Sequence, residues 1–271
     1  RKVEQKPSRN TFTVMSYNVR GFRNDGSLRA VDNHAAYLAE CDLPDIFCFQ
    51  EYQLDIPNVE RIDSVLRTRH SKLYMRDAVE SGNVVLRTYS RYPIIASGEL
   101  SGEGRGTSQW VDVVVGKSDT IRVFNNHLHS MDISSADSSD IANGTILNDG
   151  DRMQSIVERI AKNSSIRAEY VDTLRTIIDD SPYRNVICGD FNDTPMSYVY
   201  RVLKRHHIDA FEQAGSGYGY TFRPMHSALR IDYILHSKQL DTEHYFVDEE
   251  NYVSDHLPIF ARLKIVPKEK K

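Results

Sequence analysis

Asp190 and Asn192 close the apolar stretch VICGDFNDTP, with one aromatic between them. Successive strand residues point to opposite faces, so an extended backbone sends both polar side chains the same way. The same kind of residue closes other apolar runs. Asn18 ends SYN, Glu51 ends CFQE and His127 ends VFNNH; Asp232 lies in RIDYIL, and Asp255 and His256 stand in SDH before the last apolar run. Acids and amides are poor strand-interior residues. Carboxylate and amide oxygens suit a hard divalent cation. Together with histidines, they are what hydrolysis of a phosphate ester needs: a held cation, an activated water, and donors for phosphate oxygens as charge builds.

Each residue alone has a plainer account. Gly, Asn, Asp and Pro are the usual turn residues, so GDFNDTP is also a turn sequence, and Asn18 is also a turn cap. Glu51 is also a solvent-facing strand end, a lone histidine such as His127 is usually a satisfied core residue, and Asp232 also suits an ion pair with Arg230. SDH reads as a turn as well. What sets the chemical reading apart is the repetition of such residues at one strand end after another.

Strand and helix patterns alternate along the chain to position these residues. TFTVMSYNV, DIFCFQE, NVVLRTYS and YPIIASGEL read as strands, and QWVDVVVG with TIRVFNNHL as a hairpin or neighbouring strands. Leu28, Val31, Ala35 and Leu38 recur at helical spacing after the start signals Asp25 and Ser27, and Ile62, Val65 and Leu66 mark a second helix. The polar run SMDISSADSSDIANGTILNDGD is either a surface loop or partly disordered. Two helix patterns follow, RMQSIVERIAKN and IRAEYVDTLRTIIDD, and another lies around SYVYRVLKRHH. RIDYILHS and SDHLPIFARLKIV complete the strands. The expected organisation is a polar linker over 1–10, one domain over 11–266 and a charged tail over 267–271.

The 271 residues, 40% hydrophobic, can bury a sizeable core, and a net charge of −4 gives no global basic footprint for gripping long nucleic acid. Cys41, Cys48 and Cys188 match no zinc spacing, and the latter two lie in apolar runs as expected buried thiols. No apolar run reaches the roughly 18 residues a membrane span needs. The opening at Arg1 rather than Met fits a domain cut from an exported or membrane-anchored parent.

The motif set MSYNVRG, FCFQE, NNHLHS, GDFNDTP, RIDYIL and SDHLPI resembles that of the endonuclease/exonuclease/phosphatase superfamily, the deoxyribonuclease-type hydrolases, from about Phe12 to Ile265. The resemblance implies a four-layer α/β sandwich: two packed, mainly antiparallel or mixed β-sheets with helices outside. Alternating patterns alone also allow a single doubly wound sheet. It further implies a Mg²⁺- or Mn²⁺-dependent hydrolase acting with water. Glu51 resembles the metal ligand, with Asn18 and Asp255 completing or positioning that site. Asp190 resembles the residue that positions or deprotonates water, and Asn192 its phosphate-binding partner. His127 and His256 resemble the pair on the scissile phosphate, and Asp232 the carboxylate that orients a histidine.

Phe191 stands where inositol phosphatases of the family usually carry leucine, and abasic-site nucleases usually lack a histidine at the position of His127. NNHLHS and GDFNDTP look closer to the sphingomyelinase, deadenylase and uncharacterised bacterial branches. The expected function is a phosphodiesterase of nuclease type. Its alternatives are a sphingomyelinase-like or phosphomonoesterase activity on a lipid or small molecule, and a binding module without chemistry. A monomer acting on a phosphate ester, nucleic acid or phospholipid included, is expected. Phe222, Arg223, His226 and Arg230 offer arginines and aromatics for a phosphate and a stacking base, or equally a packed loop. Arg105 in GEGRG reads as loop. N-x-S/T sequons fall at Asn143, Asn163 and Asn192, the last a candidate site residue, and carry no weight without a compartment.

Overall fold

A computed structural model describes residues 10–23, 30–116, 119–133, 135–145, 149–224 and 229–267. Leu28, Asp25, Ser27, His226, most of the linker and most of the tail lie outside the described residues. Two sheets of six strands each pack face to face, with helices on both outer surfaces.

The first sheet runs β11–β12–β1–β2–β4–β3. It comprises β1 (Thr11–Asn18), β2 (Ile46–Gln53), β3 (Tyr74–Ser81), β4 (Val84–Ser90), β11 (Leu240–Val247) and β12 (Ile259–Ile265), and α1 (Ala30–Glu40) and α2 (Glu60–Arg69) pack against it. The second runs β5–β6–β7–β8–β10–β9. It comprises β5 (Ile94–Ser101), β6 (Gly106–Val115), β7 (Asp119–Leu128), β8 (Arg184–Asp190), β9 (His207–Asp209) and β10 (Asp232–Ser237). Outside it lie α3 (Ser135–Asn143), α4 (Gly150–Asp179) and α5 (Tyr198–Lys204), and the short α6 (Ala210–Ala214) follows β9.

The central strands read as unbroken apolar runs because both of their faces are buried. Val14 and Cys48 point between the sheets, where they meet Val123, Val186 and Cys188; their neighbours Met15 and Phe47 point outward to Val31, Leu38, Ile62 and Leu66 of the helices. On the far side, Phe124 and Ile187 meet Val171, Leu174 and Ile178 of α4.

Each sheet has one parallel pair, β1 with β2 and β7 with β8, and each pair is joined through helix as a parallel crossover requires. Within each pair the C-terminal ends lie together, and the 3.1 Å hydrogen bond from Asn18 at the end of β1 to Asp190 at the end of β8 puts both pairs at the same end of the sandwich. Antiparallel pairing brings Asp232, at the start of β10, opposite Asp190, and the approach to β12 returns past β1 at that end. Chain direction therefore gathers the strand-end polar residues.

The hairpin of β6 and β7 forms as expected. Two expectations are corrected. The two helix patterns after Asp149 form one 30-residue helix, α4, and the polar run before it contains α3. The helix runs on through Ser164 and Ser165, which separated the two patterns: Ser165 Oγ donates to Ala161 O at 3.2 Å, and the buried Asn163 just before them donates to Met131 O at 3.1 Å.

Candidate active site

Local backbone exceptions aim the candidate side chains. Glu51 has φ 53° within a β-bulge, where the register of β2 on β4 shifts between Phe49 and Tyr52. The extra residue re-aims a side chain, a common use of bulges beside functional sites. Asn192 follows β8 with φ 49°, a region Asn tolerates better than most residues. Gly189 has φ 135°, and a Cβ there would lie 1.9 Å from Asn126 O, so only glycine lets β8 pass β7 this closely just before Asp190.

Asn18, Glu51, His127, Asp190, Asn192, Asp232, Asp255 and His256 converge at this end. A pocket of about 500 Å³ is lined by Glu51, His127, Asp190, Asn192, Asp255 and His256 among others. Asn18 supports it from below: its Nδ2 donates to Glu51 Oε1 at 2.9 Å and to Asp190 Oδ2 at 3.1 Å, while its Oδ1 accepts from Arg20 N at 2.9 Å. Its amide group thus joins carboxylates from the two sheets. Asp190 Oδ1 accepts from Asn192 N at 2.8 Å, and Asn192 Nδ2 donates to Leu128 O at 2.9 Å, leaving its second amide hydrogen for another acceptor.

His256 and His127 reach toward Asp190 from two sides. His256 Nδ1 donates to Asp232 Oδ2 at 3.0 Å, and its Nε2 lies 3.6 Å from Asp190 Oδ2. His127 Nδ1 donates to Glu80 Oε2, and its Nε2 lies 3.8 Å from Asp190 Oδ2 and 3.7 Å from Glu51 Oε1. The acid on Nδ1 fixes each ring's orientation and leaves Nε2 facing the pocket. Glu80 also accepts from Glu51 N at 2.9 Å. Asp255 pairs with Arg20 Nε at 3.3 Å, and Phe222 lays its ring 4.9 Å from that of His256.

Burial by itself pushes both histidines down, but the carboxylates overcome it. Glu80, then Asp190 and Glu51, hold His127 up at about 10, and Asp232, Asp190 and Asp255 hold His256 at about 10. Burial pushes Asp190 above the usual carboxylate range; Asp232 adds to this, while His256, His127 and the Asn192 N–H oppose it.

The donor set fits a hard divalent cation. Glu51 and Asp255 keep 36% and 20% of their side chains exposed beside the other pocket acids, and no cysteine lines the pocket. Asp190, Asp232 and His256 also have ligand atoms within 4.8 Å of one another. In that trio both ring nitrogens of His256 already face carboxylates, an arrangement that handles protons.

Glu80 is the site residue that the sequence did not disclose. It is the penultimate residue of β3, an edge strand whose only fully buried residue is Ala78, so no apolar run announces it. Arg230 is withdrawn from both roles open to it. It is buried and paired with Asp209 Oδ2 at 2.7 Å rather than with Asp232. Arg223 stacks on Tyr252, its guanidinium 4.1 Å from the ring centre. Arg105 lies in the β5–β6 loop and pairs with Glu169. Cys48 and Cys188 are buried free thiols, as expected.

This fold and this site define a family. The model of the Endonuclease/Exonuclease/phosphatase family matches residues 15–256, and the chain belongs to that family. An endonuclease/exonuclease/phosphatase from Beutenbergia cavernae is similar in structure, with TM-score 0.65 at 16% identity over 95% of this chain and 72% of that one. Truncated TDP2 from Caenorhabditis elegans gives TM-score 0.65 at 18% identity, over 94% and 98% of the two chains. The human nocturnin catalytic domain, solved with a bound sulfate anion, gives 0.62 at 17% identity over 94% of each chain. At these identities the likeness establishes the fold. No curated protein sequence matches. No helix among the described residues is long and apolar enough to cross a membrane.

Proposed function

We propose that the protein hydrolyses phosphate esters, phosphodiesters foremost, with water as nucleophile and Mg²⁺ or Mn²⁺ as cofactor. The observation that carries this reading is the pair of acid–histidine couples, Asp232–His256 and Glu80–His127, turned toward one carboxylate, Asp190. Asp190 orients the attacking water and accepts its proton. The two histidines, held protonated by their carboxylates, donate through Nε2 to phosphate oxygens and to the leaving group, where charge-assisted bonds are strongest. The second amide hydrogen of Asn192 serves another phosphate oxygen. Glu51 and Asp255 hold the cation, and Asn18 orients Glu51. When bound, the cation neutralises charge that develops on the phosphate oxygens.

A binding module without chemistry would have lost part of this set, whereas every member is present and oriented. A hydrolysis panel tests the reading: bis-p-nitrophenyl phosphate, single- and double-stranded DNA, RNA, sphingomyelin and inositol phosphates, with Mg²⁺ or Mn²⁺. Turnover of at least one diester is expected. Inertness toward the whole panel by the folded, metal-supplied protein contradicts it, and turnover confined to sphingomyelin or to the inositol phosphates moves the substrate to the lipid or monoester alternative.

A further inference from the structure

Arg167 is 1% exposed in the middle of α4, among the largest side chains to be fully buried. Its Nε pairs with Asp193 Oδ2 at 3.1 Å, next to Asn192, and its Nη1 donates to His129 O at 3.0 Å and to Ser130 O at 3.3 Å. One helical turn earlier, the buried Asn163 donates to Met131 O at 3.1 Å. Three consecutive carbonyls of the segment that follows His127 and Leu128 are therefore drawn back onto α4.

In a trans peptide the C=O and the next N–H point in opposite directions. Carbonyls pinned toward α4 thus turn the N–H groups of Ser130, Met131 and Asp132 away from it. Asp132 N donates to Ser130 Oγ at 3.0 Å, which puts that hydroxyl on the same side. Ser130 lines the pocket, as do His129 and Ile133 of the same segment, whereas Met131, Asp132 and every residue of α4 do not. Consecutive N–H groups facing one way form a concavity that binds anions.

We propose that the Ser130 N–H, joined by the N–H of Met131 beside it, forms a second anion subsite at the rim of this pocket, which takes a phosphate flanking the one attacked. Arg167 and Asn163 act as its positioning residues. The inference rests on the proposed phosphodiesterase reading for its substrate and on the loop geometry for its place. It explains why a guanidinium is fully buried behind an otherwise ordinary loop: it fixes carbonyl directions, and through them the amides in front.

Two measurements test it. In the first, KM and kcat are determined for thymidine dinucleotides with and without an added 5′- or 3′-phosphate. Wild type should bind one phosphorylated form about tenfold more tightly in KM, the contribution of one charge-assisted hydrogen bond. Ser130→Pro removes an N–H and should bring that preference below about twofold, while Ser130→Ala keeps the N–H and the preference. Wild type without such a preference, or a folded Ser130→Pro that retains it, overturns the subsite. In the second, inorganic phosphate is titrated into the chelator-treated protein while backbone amide resonances are followed by NMR. Ser130 and Met131 should shift in a saturable way, with a weaker response in Asn163→Leu. Their failure to move overturns the subsite. This arm needs neither turnover nor the proline variant, so it decides the subsite even if the hydrolysis reading fails.

Discussion

Asp190 Oδ2 lies 3.6 Å from His256 Nε2, too far for a hydrogen bond and near enough for one atom seated beside the pair to contact both. The carboxylate comes from the end of β8 and the ring from the approach to β12, in different sheets. A water or a phosphate oxygen seated against both meets an acceptor in Asp190 and a donor in His256.

Asp190→Asn and His256→Ala should each lower kcat by at least about a hundredfold, the low end for positioned acid–base groups. Their combination should cost less than the product of the two, because groups that act on one water and one phosphate act as a unit. Steady-state kinetics on bis-p-nitrophenyl phosphate, with circular dichroism as a fold control, checks this; multiplicative losses would separate the two residues.

Glu80→Gln should reduce kcat by roughly 10- to 100-fold, as outer partners of site residues do when changed. The bonds from Glu51 N and His127 Nδ1 fall on different oxygens of Glu80, and the amide keeps only one of these as an acceptor, so one bond is lost and the protonated ring is no longer favoured. Kinetics of the variant beside His127→Ala tests the pairing, and a Glu80→Gln enzyme with unchanged kcat would make Glu80 a bystander.

Much of this site was legible because the strands that deliver it are buried on both faces. An apolar run that stops abruptly in Glu51, His127 or Asp190 marks both a strand and its end. Glu80 was hidden for the opposite reason: β3 is an exposed edge strand, and YMRDAVES carries neither alternation nor an apolar run. Polar satisfaction within helices was equally invisible. α3 is tied to α4 through the buried Asp137, which pairs with Arg152 and Arg159. Nothing in the helical pattern marks Asn163 and Arg167 as buried, since the loop they face is brought to them only by the tertiary fold.

Arg230→Met should destabilise the fold by about 3–5 kcal/mol, since it strands the buried Asp209 carboxylate without its partner. Urea unfolding measures the loss. Because Arg230 serves structure here, KM at a temperature where the variant stays folded should be unaffected; a raised KM would return Arg230 to the substrate surface.

His34 carries a pH dependence that is separate from the site. Its Nδ1 donates to Ala30 O at 2.8 Å, and burial holds the ring down at about 4, against the ordinary 6.5, with the Ala30 carbonyl opposing weakly. Between those values the unfolded chain binds a proton that the folded chain refuses, so stability is full above about 6.5 and falls as pH drops toward 4. The contribution is about 3 kcal/mol at most. Urea midpoints for wild type and His34→Gln should differ most at pH 7 and draw together by pH 4; a constant gap would show that His34 does not titrate in this window.

Bis-p-nitrophenyl phosphate turnover through a cycle of chelation and metal return decides whether this pocket carries out metal-dependent hydrolysis. Wild type should lose activity in excess chelator and regain it with Mg²⁺ or Mn²⁺. Glu51→Gln should need more metal for the same recovery, and Asp190→Asn should not recover at any metal concentration. Full turnover in chelator with no metal retained, or recovery of Asp190→Asn to the wild-type rate, would contradict it.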